Sequence, residues 1–148
     1  MSTALFPGSF NPFTIGHASI VERALKMFDK IVIAVGVNAD KAPDDPCRPP
    51  LKAIEEFCAR FPDGRVRAVC YEGELTVDVA RREGADCILR GVRSVKDFEY
   101  ERDMADINRE IGGIETVLLY ALPQYAAVSS SVVRELASYG RDVSSFLP

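Results

Sequence analysis

Apolar positions in this chain form short unbroken runs separated by longer stretches of helical period. Ala4-Leu5-Phe6 leads the first run and predicts a strand over residues 3–6. Ile20, Val21, Ala24, Leu25 and Phe28 fall on one stripe at helical spacing, which predicts a helix over 17–28. Residues 30–37 contain Ile31-Val32-Ile33-Ala34-Val35 without a polar break. Such a run fits a strand covered on both faces, as in a parallel sheet, rather than a half-exposed strand with alternation. The four prolines of segment 38–50 predict a loop, since they block both helix and central strand. The pattern then repeats: helix 51–61, strand 66–71, helix 76–83 with Gly84 closing it, and strand 87–89. A charged helix over 97–111 stops at Gly112-Gly113, followed by a strand at 116–120. Residues 123–128 form a loop, and Ser129-Ser130-Ser131 opens a last helix over 132–139, which Gly140 ends. Residues 142–148 add a short final turn.

Strands alternating with helices predict an open α/β fold with a parallel sheet and helices on both faces. The 148 residues make most simply one domain, 1–148, large enough for a core of its own. In such sheets ligands gather beyond the carboxyl ends of the strands, where the strand order reverses. Four connections there carry polar chemistry: residues 8–17, Lys41, Arg90 with Arg93, and the three serines.

The stretch Phe6-Pro7-Gly8-Ser9-Phe10-Asn11-Pro12-Phe13-Thr14-Ile15-Gly16-His17 joins the first strand to the first helix. Gly8 and Gly16 let backbone approach a ligand, and the helix start offers free N–H groups and a positive dipole end to an anion. His17 is the only histidine. Arg90-Gly91-Val92-Arg93 places two planar guanidinium donors around a glycine, a pattern suited to phosphate. Capping a helix needs one serine; three in a row suit a phosphate or ribose contact.

Charge sharpens this picture. The net charge is −4 and no basic run exists, which disfavours general nucleic-acid binding. A convergent set of cations is then more informative than it would be in a basic protein. No apolar run approaches the ~20 residues of a membrane span, and no signal peptide is visible, so a cytoplasmic protein is expected. Four cysteines and one histidine supply no zinc-type ligand set. Cys70 and Cys87 sit in apolar runs and read as buried thiols, with disulfides unexpected in a reducing compartment.

Three motifs carry a family resemblance. Pro-Gly-Ser-Phe-x-Pro-x-Thr-x-Gly-His at residues 7–17 resembles the nucleotidyltransferase signature of the (His/Thr)-x-Gly-His type. Arg90-Gly91-Val92-Arg93, continued by Asp97-Phe98-Glu99-Tyr100-Glu101 and Asn108-Arg109, and Val128-Ser129-Ser130-Ser131 with Arg134-Glu135, resemble phosphopantetheine adenylyltransferases specifically. The resemblance implies a Rossmann-like five-stranded parallel sheet, a homohexamer, and adenylyl transfer from ATP to 4′-phosphopantetheine with Mg²⁺. It implies that ATP meets Ser9, Phe10, His17, Gly91, Val92, Arg93, Glu101, Tyr125, Ala126, Ala127, Val128, Ser129, Ser130 and Ser131. It implies that the acceptor meets Ser9, Lys41, Thr76, Arg90, Asn108 and Glu135, with His17, Lys41 and Arg93 serving the chemistry. His17 at a helix start is expected as a neutral hydrogen-bond donor rather than a general base. Asn11 and Tyr125 stand where the family commonly has Asp and Trp, and residues 43–51 diverge from its pattern. Two alternatives are another nucleotidyltransferase of the superfamily and a non-catalytic binder of nucleotide or coenzyme A.

Overall fold

The computed structural model describes residues 2–37 and 48–148. In chain order it contains β1 (Thr3–Gly8), α1 (Ile15–Ala24), β2 (Lys30–Val37), α2 (Arg48–Cys58), β3 (Val66–Glu72) and α3 (Thr76–Arg82). β4 (Cys87–Val92), α4 (Val95–Gly112), β5 (Glu115–Tyr120) and α5 (Ser130–Ser138) follow. Single 3₁₀ turns occupy Pro123–Tyr125 and Ser144–Phe146. The five strands form one sheet in the order β3-β2-β1-β4-β5, every pair parallel. The expected α/β class, strand number and alternation are all present.

The unbroken apolar runs are explained by burial on both faces. Phe6, Ile31, Ile33, Val35 and Leu89 pack with Ile20, Val21 and Ala24 of α1 and with Ile54 and Phe57 of α2. Their neighbours Leu5, Val32, Ala34 and Ile88 point the other way, onto Val77, Val79 and Ala80 of α3. Period-two alternation in a strand therefore feeds two cores, not a core and a solvent face. The C-terminal turn of α4 lies so close to α3 that a Cβ on Gly112 would come within 2.6 Å of the Val77 Cβ. No helix among the described residues is long and apolar enough to cross a membrane.

Several boundaries move, each for a local reason. α1 begins two residues before the expected His17, because Thr14 caps it. α2 begins at Arg48, so Pro49 and Pro50 lie inside its first turn, where a missing N–H leaves no bond unmade. Its far end tightens into i→i−3 bonds, Arg60 to Phe57 and Phe61 to Cys58, short of the expected residue 61. β1 runs on to Gly8 and β4 to Val92, so Arg90 and Gly91 are strand residues paired with Leu118 and Leu119 rather than loop residues. α5 starts at Ser130, two residues earlier than expected. Cys70 corrects two expectations: it is exposed, because β3 is an edge strand, and it is disulfide-bonded. Cys87 is buried and free as expected. Lys41 and most of the divergent 43–51 segment lie outside the described residues.

Candidate active site

β1 is the central strand, and the order reverses around it: the chain runs outward through β2 to β3, then returns to β4 on β1's other side. The reversal opens a cleft past the carboxyl ends of β1 and β4. Two cavities lie there, of about 370 Å³ and about 570 Å³. Their shared wall is Pro7, Gly8, Ser9, Arg90, Tyr100 and Glu101.

The first cavity is built by the β1–α1 connection. Phe10 holds φ +47°, a left-handed conformation that costs a bulky residue about 1–2 kcal/mol. Packing holds it there: its ring meets Phe6 edge-on at 5.2 Å, Phe13 at 5.6 Å and His17 at 4.9 Å. The same ring explains Gly8, since a Cβ there would sit 2.9 Å from the Phe10 Cζ. Gly8 is thus required by the fold of the loop as well as available to a ligand. Phe10 is buried, at 3% exposure, and is one of the residues lining the first cavity.

His17 stands at the third position of α1 and closes a capping box with Thr14. The Thr14 N–H donates to His17 Nδ1 at 2.9 Å, so Nδ1 carries no proton. The neutral ring must then carry its hydrogen on Nε2, and His17 lines the first cavity. Burial among Phe6, Phe10 and Phe13, reinforced by the Arg90 and Arg93 charges, lowers its pKa from 6.5 to about 4. The expected neutral donor is present, but burial and the capping bond establish it, not a helix dipole alone.

A pH dependence follows. The unfolded chain keeps the ordinary value of 6.5, while the folded one titrates near 4. Between those limits the unfolded state binds a proton that the folded state refuses. This group's contribution to stability is therefore complete above about pH 6.5 and is lost as the pH falls toward 4. Proton NMR of the single histidine should give a folded-state midpoint near 4; a midpoint near 6.5 would mean the ring is solvated and free of Thr14.

Arg90 is held firmly. Its Nε donates to both Glu101 oxygens at 3.0 and 2.9 Å, its Nη2 to Oε1 at 2.7 Å, and its Nη1 to the Pro7 carbonyl at 2.5 Å. The Glu101 side chain is 8% exposed and that of Arg90 31%. Glu101 lies on α4, so a helix behind the sheet fixes a guanidinium at the sheet edge. One N–H on each terminal nitrogen of Arg90 remains for a ligand. Arg93 pairs with Asp97 at 3.3 Å and is more exposed. The cations of this acidic molecule do converge on the cleft, but neither is unpaired in the free protein.

α5 points its N-terminus at the same cavity. Ser129 caps it by accepting the Val132 N–H at 3.1 Å. Ser130 donates to the Pro12 carbonyl at 2.7 Å, Arg134 donates to the Asn11 carbonyl, and Ser131 accepts from Arg134 at 3.3 Å. Ser130, and Ser131 through Arg134, thus tie α5 to the β1–α1 loop, while Ser129 caps the helix and all three serines line the cavity. Two helix starts, those of α1 and α5, face one anion-sized space.

Of the residues singled out in the sequence, Ser9, Phe10, His17, Arg90, Gly91, Arg93, Glu101, Tyr125, Val128 and the three serines line the first cavity. Ser9, Thr76, Arg90, Glu101 and Asn108 line the second. Val92 is buried behind the wall, where its carbonyl accepts from the Ala121 N–H at 2.8 Å. Ala126, Ala127 and Glu135 line neither cavity, and Glu135 is exposed on α5. Lys41 is outside the described residues. Tyr100, part of the second motif, also lines the second cavity, and so do Tyr71, Met104 and Thr116, none of which stands out in the sequence. Tyr71 shares a hydrogen bond of 3.1 Å with Thr76, and strand alternation alone does not distinguish such a residue from a core tyrosine.

Comparison with known proteins bears on the whole chain. The cytidylyltransferase-like family model matches residues 5–136. A phosphopantetheine adenylyltransferase of Phocaeicola vulgatus is 48% identical over 148 residues, covering all of this chain and 96% of the relative. One from Porphyromonas gingivalis is 49% identical over 145 residues, covering 98% and 93%. Among solved structures, a bifunctional NMN adenylyltransferase/ADP ribose pyrophosphatase of Francisella tularensis superposes with a TM-score of 0.66 at 15% identity, covering 99% of this chain and 44% of that one. That likeness extends to the fold, and the sequence relatives carry the rest. The chain belongs to the phosphopantetheine adenylyltransferase family, within the cytidylyltransferase-like group.

Proposed function

We propose that this protein transfers the adenylyl group of ATP to 4′-phosphopantetheine, giving dephospho-coenzyme A and pyrophosphate. The observation that carries the reading is the pair of adjoining cavities with Arg90 and Glu101 in their common wall. ATP takes the first cavity, with its phosphates toward the starts of α1 and α5. The acceptor takes the second, with its arm along Thr76 and Asn108. The two phosphates then meet at Ser9 and Arg90.

Little acid–base chemistry is needed. An oxygen of the acceptor phosphate is already a nucleophile; it bonds to the α-phosphorus of ATP as the bond from that phosphorus to the β-bridging oxygen breaks. Pyrophosphate leaves with that electron pair. The protein positions the groups and stabilises charge. Arg90, oriented by Glu101, directs its two remaining N–H groups at the attacking phosphate. Lys41 joins it as a second cation. His17 Nε2–H, Arg93 and the first amides of α1 serve the nucleotide phosphates.

Mg²⁺ fits this arrangement as a partner of the nucleotide. The cleft's carboxylates, Glu101, Asp97 and Glu74, are each engaged by an arginine, and among the described residues no three His, Cys, Asp or Glu cluster as metal ligands. The ion would be held through the nucleotide's phosphate oxygens, and the chemistry it would supply is neutralisation of their charge. Self-association, and with it the homohexamer, is supported by the exposed Ile107 and Ile111, four residues apart on one side of α4, a surface a second copy would cover. The cytoplasm, where ATP is made available, is the place of the reaction.

Pyrophosphate release with a panel of acceptors tests the reading. 4′-Phosphopantetheine should support it, and unphosphorylated pantetheine and nicotinate mononucleotide should not. Equal rates with and without the acceptor phosphate would contradict the placement at Arg90.

A further inference from the structure

Thr116 sits on β5, directly across from Ile88 of β4 in the sheet register. That places it on the face covered by α3, with Leu5, Val32 and Ile88. Arg90 is two residues further along β4, paired with Leu118. At ~3.3 Å per residue, Thr116 therefore lies ~7 Å below the level of Arg90, one strand over. It lines the second cavity together with Met104, Asn108 and Ile88.

Its hydroxyl is the anomaly. Thr116 Oγ1 is sealed from solvent and has no hydrogen-bond partner, alone in this among the buried side-chain oxygens and nitrogens of the described residues. An unsatisfied buried hydroxyl destabilises a protein, and valine would fill the same space without that cost. A strand residue needing only shape and β-propensity has no reason to be threonine here. A hydroxyl that donates to a carbonyl or accepts from an N–H suits an amide. An arm that begins at the phosphate held by Arg90 and runs inward reaches this depth within its first amide.

We infer that Thr116 Oγ1 is a specificity-determining contact for the acceptor, hydrogen-bonding an amide of its arm at the inner end of the second cavity. This rests on the reading of the second cavity as the acceptor site. The unbranched Met104, exposed on α4 and lining the same cavity, is the side chain able to shift as the arm enters. The hydroxyl's lost hydrogen bonding in the free protein is restored on binding, so the site favours an arm with an amide at that position over an apolar one.

The test separates this role from a structural one. Thr116→Val should raise the unfolding midpoint of the free protein by ~2–4 °C, by removing the unsatisfied group. The same change should weaken 4′-phosphopantetheine binding by about tenfold in calorimetry, with ATP affinity unchanged. Thr116→Ser, which keeps the hydroxyl, should bind the acceptor nearly as the parent does. Unchanged acceptor affinity in Thr116→Val overturns the inference, and so does a loss in Thr116→Ser as large as in Thr116→Val. If the unaltered chain fails to bind 4′-phosphopantetheine, the functional reading falls and this inference with it; that failure shows in the parent protein, before any substitution.

Discussion

His17→Ala should lower kcat by ~10²-fold or more while changing ATP affinity little. The reason is where its free proton sits. Nδ1 is spent on the Thr14 N–H, so Nε2–H is a fixed donor toward the phosphates. Charge moves onto the pyrophosphate oxygens only as the bond breaks, so a donor aimed there favours the transition state over the bound substrate. The substitution also removes half of the capping box of α1, which costs about 0.5–2 kcal/mol. Steady-state kinetics, ATP titration and a thermal melt on the same preparation keep the two effects apart. A folded variant with parental kcat would remove His17 from the chemistry.

The second large effect belongs to a residue that need not touch the reacting atoms. Glu101→Gln keeps the size of the side chain but sets an amide N–H₂ against the Arg90 guanidinium. Breaking a buried pair from one side costs about 3–5 kcal/mol; the partial exposure of Arg90 discounts this to roughly 1–2 kcal/mol. The kinetic consequence should be larger. Arg90 keeps at most the contacts to one amide oxygen and loses the charge that held its plane, and the acceptor phosphate loses its alignment for in-line attack. KM for the acceptor should rise ~10–100-fold. The pair is nearly neutral as a unit, so it works by presenting oriented donors more than by net charge. This also tempers discrimination against an unphosphorylated acceptor: Arg90 is not left unpaired when no phosphate is bound. Parental kinetics and stability in Glu101→Gln would show that Arg90 holds its place unaided.

Much of this is legible in the sequence alone. Unbroken apolar runs between amphipathic stretches are what a two-sided parallel sheet requires, and the strand number and class followed. The residues with chemistry fell after strands because an open sheet presents its carboxyl edge to ligands. What was not legible depends on tertiary partners. Arg90 and Glu101 are eleven residues apart on a strand and a helix, and no local rule pairs them. Glu101 reads in the sequence as an ATP contact, whereas the fold buries it against Arg90. The three serines read as ligand groups, yet each already has a partner inside the protein. Thr116 and Tyr71 look like ordinary strand residues, because period-two alternation says which face a side chain takes and not whether that face holds a cavity. The prolines at 49 and 50 misled for a related reason: proline breaks a helix interior but suits a first turn.

The central claim is that the two cavities form one site in which the acceptor phosphate attacks ATP directly. The fate of the α-phosphorus tests this most directly. With ATP labelled at the α-position, 4′-phosphopantetheine and Mg²⁺, the account predicts that the label passes into dephospho-coenzyme A, one equivalent for each pyrophosphate released. Label recovered as free AMP, or bound to the protein, or left in ATP at every acceptor concentration, would contradict it.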